Sequence, residues 1–146
     1  MDGGTVTDID GIMVWLRETM DAATRRAEAA ATETGSAEWE YRAAQFTHFT
    51  LNATSSPGFM VADVDYLDPA PGKFMADNDP AAVLRRIAAD RKMLDLHAPV
   101  TVEYEDDSPT TLACRTCGSH FEYPTRWPCT TLRLLAEGYG WTKETT

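Results

Sequence analysis

At 146 residues the chain has room for a single domain with a real core, and 43% hydrophobic with 25% charged residues is ordinary for a soluble protein. Apolar runs are only a few residues long, which excludes a helical membrane span. The net charge of −10 repels polyanions and argues against direct nucleic-acid binding, while suiting solubility or a basic protein partner.

Residues 8–33, DIDGIMVWLRETMDAATRRAEAAATE, predict a long first helix. Asp8 or Asp10 can cap it, and Ile9, Ile12, Leu16, Met20, Ala23, Ala27 and Ala30 recur at three- and four-residue steps on one face. Gly35 is a natural stop. From 37 to 68 the pattern turns aromatic and β-branched, with AEWEYRAAQFTHFTL and GFMVADVDYL separated by the turn-rich NATSSPG. This predicts a β-hairpin or short meander, with Trp39 and Tyr41 on one face. DPAPG at 68–72 reads as a turn or short linker.

Residues 78–98, NDPAAVLRRIAADRKMLDLHA, predict the clearest helix. Asp79 caps it, and Pro80 takes the first helical position, where a missing N–H costs nothing. Val83, Ile87, Leu94 and His97 fall on one side, and Pro99 ends the helix. VTVEY (100–104) alternates as a half-buried strand does, EDDSP turns the chain, and TTLA returns it to Cys114. After Cys129, TTLRLLAEG predicts a short helix with Leu132, Leu135 and Ala136 inward, followed by a frayed tail in which Trp141 can dock. The expected architecture is a single α+β domain over 1–146, with an acidic 1–77 half. That half holds 13 acids against 5 bases, while 78–146 holds 10 against 8.

All three cysteines lie within CRTCGSHFEYPTRWPC, residues 114–129. Three thiols cannot all pair within one chain, and a Cys-x-x-Cys in a reducing compartment points to metal or redox chemistry. Cys114-Arg-Thr-Cys117-Gly118 has the form of a zinc knuckle, in which the glycine permits the turn that brings both sulfurs to one ion. Cys129 sits at a helix start, where the dipole favours a thiolate. A structural zinc takes four ligands, so one of the three histidines is the natural fourth, with water or another group as the remaining alternative. His97 is preferred, because H-x16-C-x2-C-x11-C would tie helix, hairpin and last helix together. His120 remains the alternative, although a third ligand from so short a loop strains the tetrahedron. His48 lies far off in a strand. A thioredoxin-like redox pair would follow a strand in a βαβ pattern, whereas here the pair follows a hairpin. The deaminase signature, a phosphate loop and a dinucleotide fingerprint are absent from the sequence.

The run NDPAAVLRRIAADRKMLDLH, the CxxCG and the run WPCTTLRLLAEGY resemble an uncharacterised family of actinobacteria, Streptomyces especially, and of their phages. The resemblance is specific over 78–139 and weak earlier, beyond Val14-Trp15-Leu16. It implies an actinobacterial or actinophage source and no activity. The resulting expectation is a cytoplasmic, non-enzymatic interaction or regulatory protein with structural Zn2+ on His97, Cys114, Cys117 and Cys129, and a protein partner. Two alternatives stand beside it. One is an acidic phage-type inhibitor that mimics nucleic acid or engages a basic host protein. The other is a small metalloenzyme or thiol oxidoreductase.

Overall fold

The computed structural model describes residues 6–43, 48–54, 60–65, 69–104, 109–118 and 125–142. Its elements run α1 (Val6–Thr34), β1 (Trp39–Ala43), β2 (His48–Ala53), β3 (Met60–Asp65), α2 (Pro69–Asp77), α3 (Pro80–Leu96), β4 (Pro99–Val102), β5 (Thr111–Cys114) and α4 (Thr130–Gly138). The class is α+β, with antiparallel sheets of three and two strands. The chain divides into two compact units. Met1–Thr19 with Ala89–Thr146 form one, and Met20–Ala88 form the other.

In the Met20–Ala88 unit, the buried apolar side chains are Met20, Ala27, Leu51, Ala53 and Ile87. Helix α1 ends where expected, at Gly35, whose φ of 74° lies in the left-handed region that lacks a penalty only for glycine. The aromatic stretch after it is a three-stranded meander in the order β1-β2-β3. Trp39 pairs with Ala53, Tyr41 with Leu51, and His48 with Asp65. Of the two expected forms the structure has the meander: AEWEYRAAQFTHFTL holds two strands, β1 and the start of β2, with residues 44–47 outside the described part. Alternation alone does not mark such a fold-back, because both halves carry the same pattern.

Helix α2 corrects the linker expected at 68–72. Pro69 and Pro71 both fall in its first turn, where amides have no intrahelical acceptor, so neither proline removes a bond. Gly72 is buried in α2, and a Cβ there would run into the Tyr41 ring of β1. The glycine therefore marks close packing of helix on strand and is no turn signal.

Asp79 caps α3 as expected and does a second task. Its Oδ1 accepts from the Ala82 amide at 2.7 Å, and its Oδ2 accepts from the Trp39 amide at 3.1 Å. The Ala81 amide, one of the helix's orphan donors, reaches the Ala37 carbonyl at 2.9 Å. One buried carboxylate thus joins the start of α3 to the start of β1.

In the other unit, Ile12, Met13 and Leu16 of α1 are buried, as are Leu94, Val102, Ala113, Trp127, Leu132 and Ala136. Leu16, Leu132 and Ala136 are fully excluded from solvent. Truncating a leucine in such a position costs about 2–5 kcal/mol. Helix α4 stops at Tyr139, and the Trp141 amide donates back to the Ala136 carbonyl at 2.9 Å, with Gly140 at φ 97°. This wrap turns the Trp141 ring onto Trp15, edge to face, at a centroid distance of 5.1 Å. Tyr139 Oη donates to Asp90 Oδ2 at 2.6 Å. The start of the tail is docked rather than frayed.

Candidate metal centre

Strands β4 and β5 pair antiparallel, with Pro99 opposite Cys114 and Val102 opposite Thr111. Pro99 therefore opens a strand three residues after α3 ends. The register brings the end of β5 beside the end of α3. Beyond β5 the chain makes the knuckle and returns. Ala113 bridges Arg126, the Trp127 amide donates to the Leu112 carbonyl at 3.0 Å, and the Cys114 amide to the Thr125 carbonyl at 3.0 Å.

The knuckle closes as its glycine suggests. The Cys117 amide donates to Cys114 Sγ at 3.4 Å, and the Gly118 amide to the Cys114 carbonyl at 3.3 Å. Gly118 has φ 153°, and a Cβ there would stand 3.2 Å from Thr125 Oγ1. The Thr125 amide and hydroxyl hold the loop through the Gly118 and Cys117 carbonyls at 3.1 and 3.2 Å.

The same loop satisfies the end of α3. A helix leaves its last carbonyls without intrahelical donors. Here the Thr116 hydroxyl donates to the Leu96 carbonyl, the Trp127 indole N–H to the His97 carbonyl at 2.8 Å, and the Arg115 amide to the Ala98 carbonyl at 3.0 Å. Three successive carbonyls are thus held by the knuckle and its return strand. His97, immediately after α3, is held in place by that arrangement.

Cys129 is the N-cap of α4, with φ −71° and ψ 167°, and its side chain makes no capping bond. A serine or aspartate in this position would turn its oxygen onto the helix amides. The sulfur instead lies 3.4 Å from His97 Nδ1.

The four candidate ligands expected from the sequence lie together. His97 Nδ1 lies 3.3 Å from Cys114 Sγ, 3.4 Å from Cys117 Sγ and 3.4 Å from Cys129 Sγ. All four donor atoms lie within 4.8 Å of one another. A ring nitrogen offers one hydrogen or one lone pair, so it can serve a single sulfur by hydrogen bonding. Three sulfurs around one nitrogen is the spacing of a shared ion. With metal–nitrogen bonds of about 2.0–2.1 Å and metal–sulfur bonds of about 2.3 Å, tetrahedral angles place N···S pairs at about 3.5–3.6 Å. The observed separations fall slightly inside that figure, and the donor set is compatible with a metal site. His97, Cys114 and Cys129 are buried and Cys117 is exposed. His48 is a residue of β2, and His120 lies outside the described residues.

The thiols themselves show why a cation suits the cluster. Burial pushes Cys114 up, but hydrogen bonds from the Cys117 amide, His97, the Thr116 amide and Cys129 outweigh it and bring it down to about 7. Cys117 is pushed up to about 11, first by desolvation, then by its hydrogen bonds with Cys114 and Cys129 and by the charge those two sulfurs carry. The metal-free cluster accepts one thiolate readily and resists the next. A dication would remove that repulsion and favour all the thiolates.

The cysteines, the preferred histidine and the knuckle glycine were legible from spacing. The supporting donors Trp127, Thr116 and Thr125 were not. Only the position of Trp127 beside Pro128 and Cys129 hinted at a role, and no spacing tells where an indole N–H ends.

A family model described as a family of unknown function (DUF6221) matches residues 9–140, and the chain belongs to that family. The match takes in the N-terminal half as well as the 78–139 stretch where the resemblance was specific. No curated protein and no solved structure matches the chain. No helix among the described residues is long and apolar enough to cross a membrane.

Proposed function

We propose that this member of a family of unknown function is a small, non-enzymatic interaction or regulatory protein built around one structural Zn2+. His97, Cys114, Cys117 and Cys129 are its four ligands. The observation that carries this reading is the single ring nitrogen within 3.3–3.4 Å of all three cysteine sulfurs. Soft thiolates with one imidazole in a tetrahedral arrangement select zinc over magnesium, calcium or manganese, which prefer oxygen donors. Four protein ligands leave no open position for a substrate or an activated water, so the ion's task is to join α3, β5 and α4. Reduced thiols fit a reducing compartment. The charge of −10 favours a basic protein as partner over nucleic acid. An actinobacterial or actinophage source is the matching proposal from the WPCTTLRLLAEGY resemblance.

Metal analysis of the reduced, purified chain tests the reading. Zinc is expected at one per chain in the native protein and is expected to fall in His97→Ala and Cys114→Ser but to persist in His120→Ala. Zinc that survives His97→Ala and disappears with His120→Ala would refute the ligand assignment. A fully reduced protein that holds no zinc would refute zinc itself.

A further inference from the structure

We propose that the cluster is an oxidant-sensitive clasp, in which a hydroperoxide oxidises Cys117, Cys114 closes a disulfide onto it, and the zinc ion is released. This rests on the zinc reading above. The first observation is the unequal exposure of the three sulfur ligands. Cys117 is exposed, whereas Cys114 and Cys129 are 0% and 2% exposed. A small oxidant in solution therefore meets Cys117 before the two buried cysteines. Oxidation of a thiolate follows its accessibility as well as its charge.

The second observation is a resolving thiol already in place. Cys114 and Cys117 lie in one knuckle, with the Cys117 amide on Cys114 Sγ at 3.4 Å and the donor atoms of the cluster within 4.8 Å of each other. The Cys117 thiolate attacks one oxygen of the hydroperoxide, the O–O bond breaks, and a sulfenic acid and one hydroxide (or alkoxide) form. The Cys114 thiolate then attacks the sulfenic sulfur. The S–S bond forms, the S–O bond breaks, and hydroxide leaves. Two thiolates have lost two electrons to the peroxide bond.

His97 and Cys129 are then the only ligands left. Two donors do not hold a structural zinc, which takes four. The loss falls where the fold is most dependent on the ion. His97 follows α3, Cys129 opens α4, and the knuckle carries the donors that hold the carbonyls of residues 96–98. Oxidation would thereby uncouple the end of α3 from the start of α4, and reduction with zinc would restore the junction. Exposure of one of the three cysteines gives an oxidant the access that a sealed structural ion denies it.

The test uses the full chain, reduced and zinc-loaded, treated with one equivalent of hydrogen peroxide. Zinc release is followed with a chromogenic chelator, and disulfides are mapped by peptide mass spectrometry. The expected result is about one zinc released per peroxide consumed, a Cys114–Cys117 disulfide, and recovery on adding dithiothreitol and zinc. Because Cys117→Ser can fail to load zinc, limiting N-ethylmaleimide on the native protein provides the second measurement, and it should label Cys117 first. Zinc that stays bound, any other disulfide, or first labelling at Cys114 or Cys129 overturns this inference alone. Absence of zinc from the reduced protein overturns the metal reading and this inference together.

Discussion

Replacing His97 by alanine removes the cluster's only nitrogen donor and leaves three sulfurs. The imidazole is also a buried side chain, 8% exposed, so the variant loses packing whether or not zinc is present. The two effects separate when each protein is melted with and without the ion. For the native chain, free zinc at about 1,000 times its dissociation constant stabilises the folded form by about 4 kcal/mol. At about 2–4 °C per kcal/mol for a chain of this size, that is a rise in Tm of roughly 8–16 °C. Structural zinc sites bind with about 10–16 kcal/mol, so an equal share for one of four ligands is about 2.5–4 kcal/mol. Losing that share weakens binding by roughly two to three orders of magnitude. At the same free zinc the variant then gains only about 0.4–1.4 kcal/mol, or at most ~6 °C. Thermal melts followed by circular dichroism in zinc-buffered solution, against the same solution with a strong chelator, read both increments. A variant whose zinc-dependent rise equals that of the native chain would refute His97 as a ligand, however unstable it had become.

Zinc affinity should rise with pH, because the ion displaces protons. The Cys114 thiol, brought down to about 7, is largely ionised in mildly alkaline solution, whereas Cys117, pushed up to about 11, is not. Binding therefore releases the Cys117 proton at least, and affinity falls as pH drops through the range where Cys114 also becomes protonated. Calorimetric titration in buffers of different ionisation enthalpy measures the protons released, and an affinity constant from about pH 6 to about pH 8 would contradict the thiolate assignment. Asp79→Ala strips the cap from α3 and leaves the Trp39 amide without its acceptor, so a loss of about 2–3 kcal/mol is expected, with smaller loss in Asp79→Asn. Urea denaturation checks this, and an unchanged midpoint would mean that water replaces the carboxylate. Gly72→Ala drives a methyl against the Tyr41 ring and should cost about 1–3 kcal/mol while leaving zinc content unchanged. Loss of zinc in that variant would show that the Met20–Ala88 unit governs the metal site.

Helix α3 could be read directly because its signals are local. Asp79, Pro80 and the apolar steps to His97 act within one or two turns, and Gly35 stops α1 through its own φ. Helix α2 was not legible. Its two prolines and glycine carry the signature of a turn, and only packing against Tyr41 gives Gly72 its meaning. The meander was one of two expected forms, but a continuous aromatic run does not tell where β1 ends and β2 begins. Trp141 lies just past Gly138 and Gly140, and its place against Trp15 is a contact between α1 and the segment after α4. Such a contact is invisible to periodicity.

The sequence by itself marked out the candidate sulfur donors. Three cysteines in sixteen residues, a Cys-x-x-Cys-Gly turn and a cysteine at a helix start belong to short stretches whose backbone preferences are their own. The choice between histidines was different, since spacing permits both a near and a distant fourth donor. Tertiary structure brought His97 to the sulfurs, through the β4–β5 register and the three donors that the knuckle and its return strand place on the carbonyls of residues 96–98. Those bonds join residues far apart in the chain, and the one from Trp127 to the His97 carbonyl is buried, where a carbonyl must find its partner away from water. That requirement acts on the folded molecule as a whole, which is why it decides the site's geometry and leaves little trace in the order of residues.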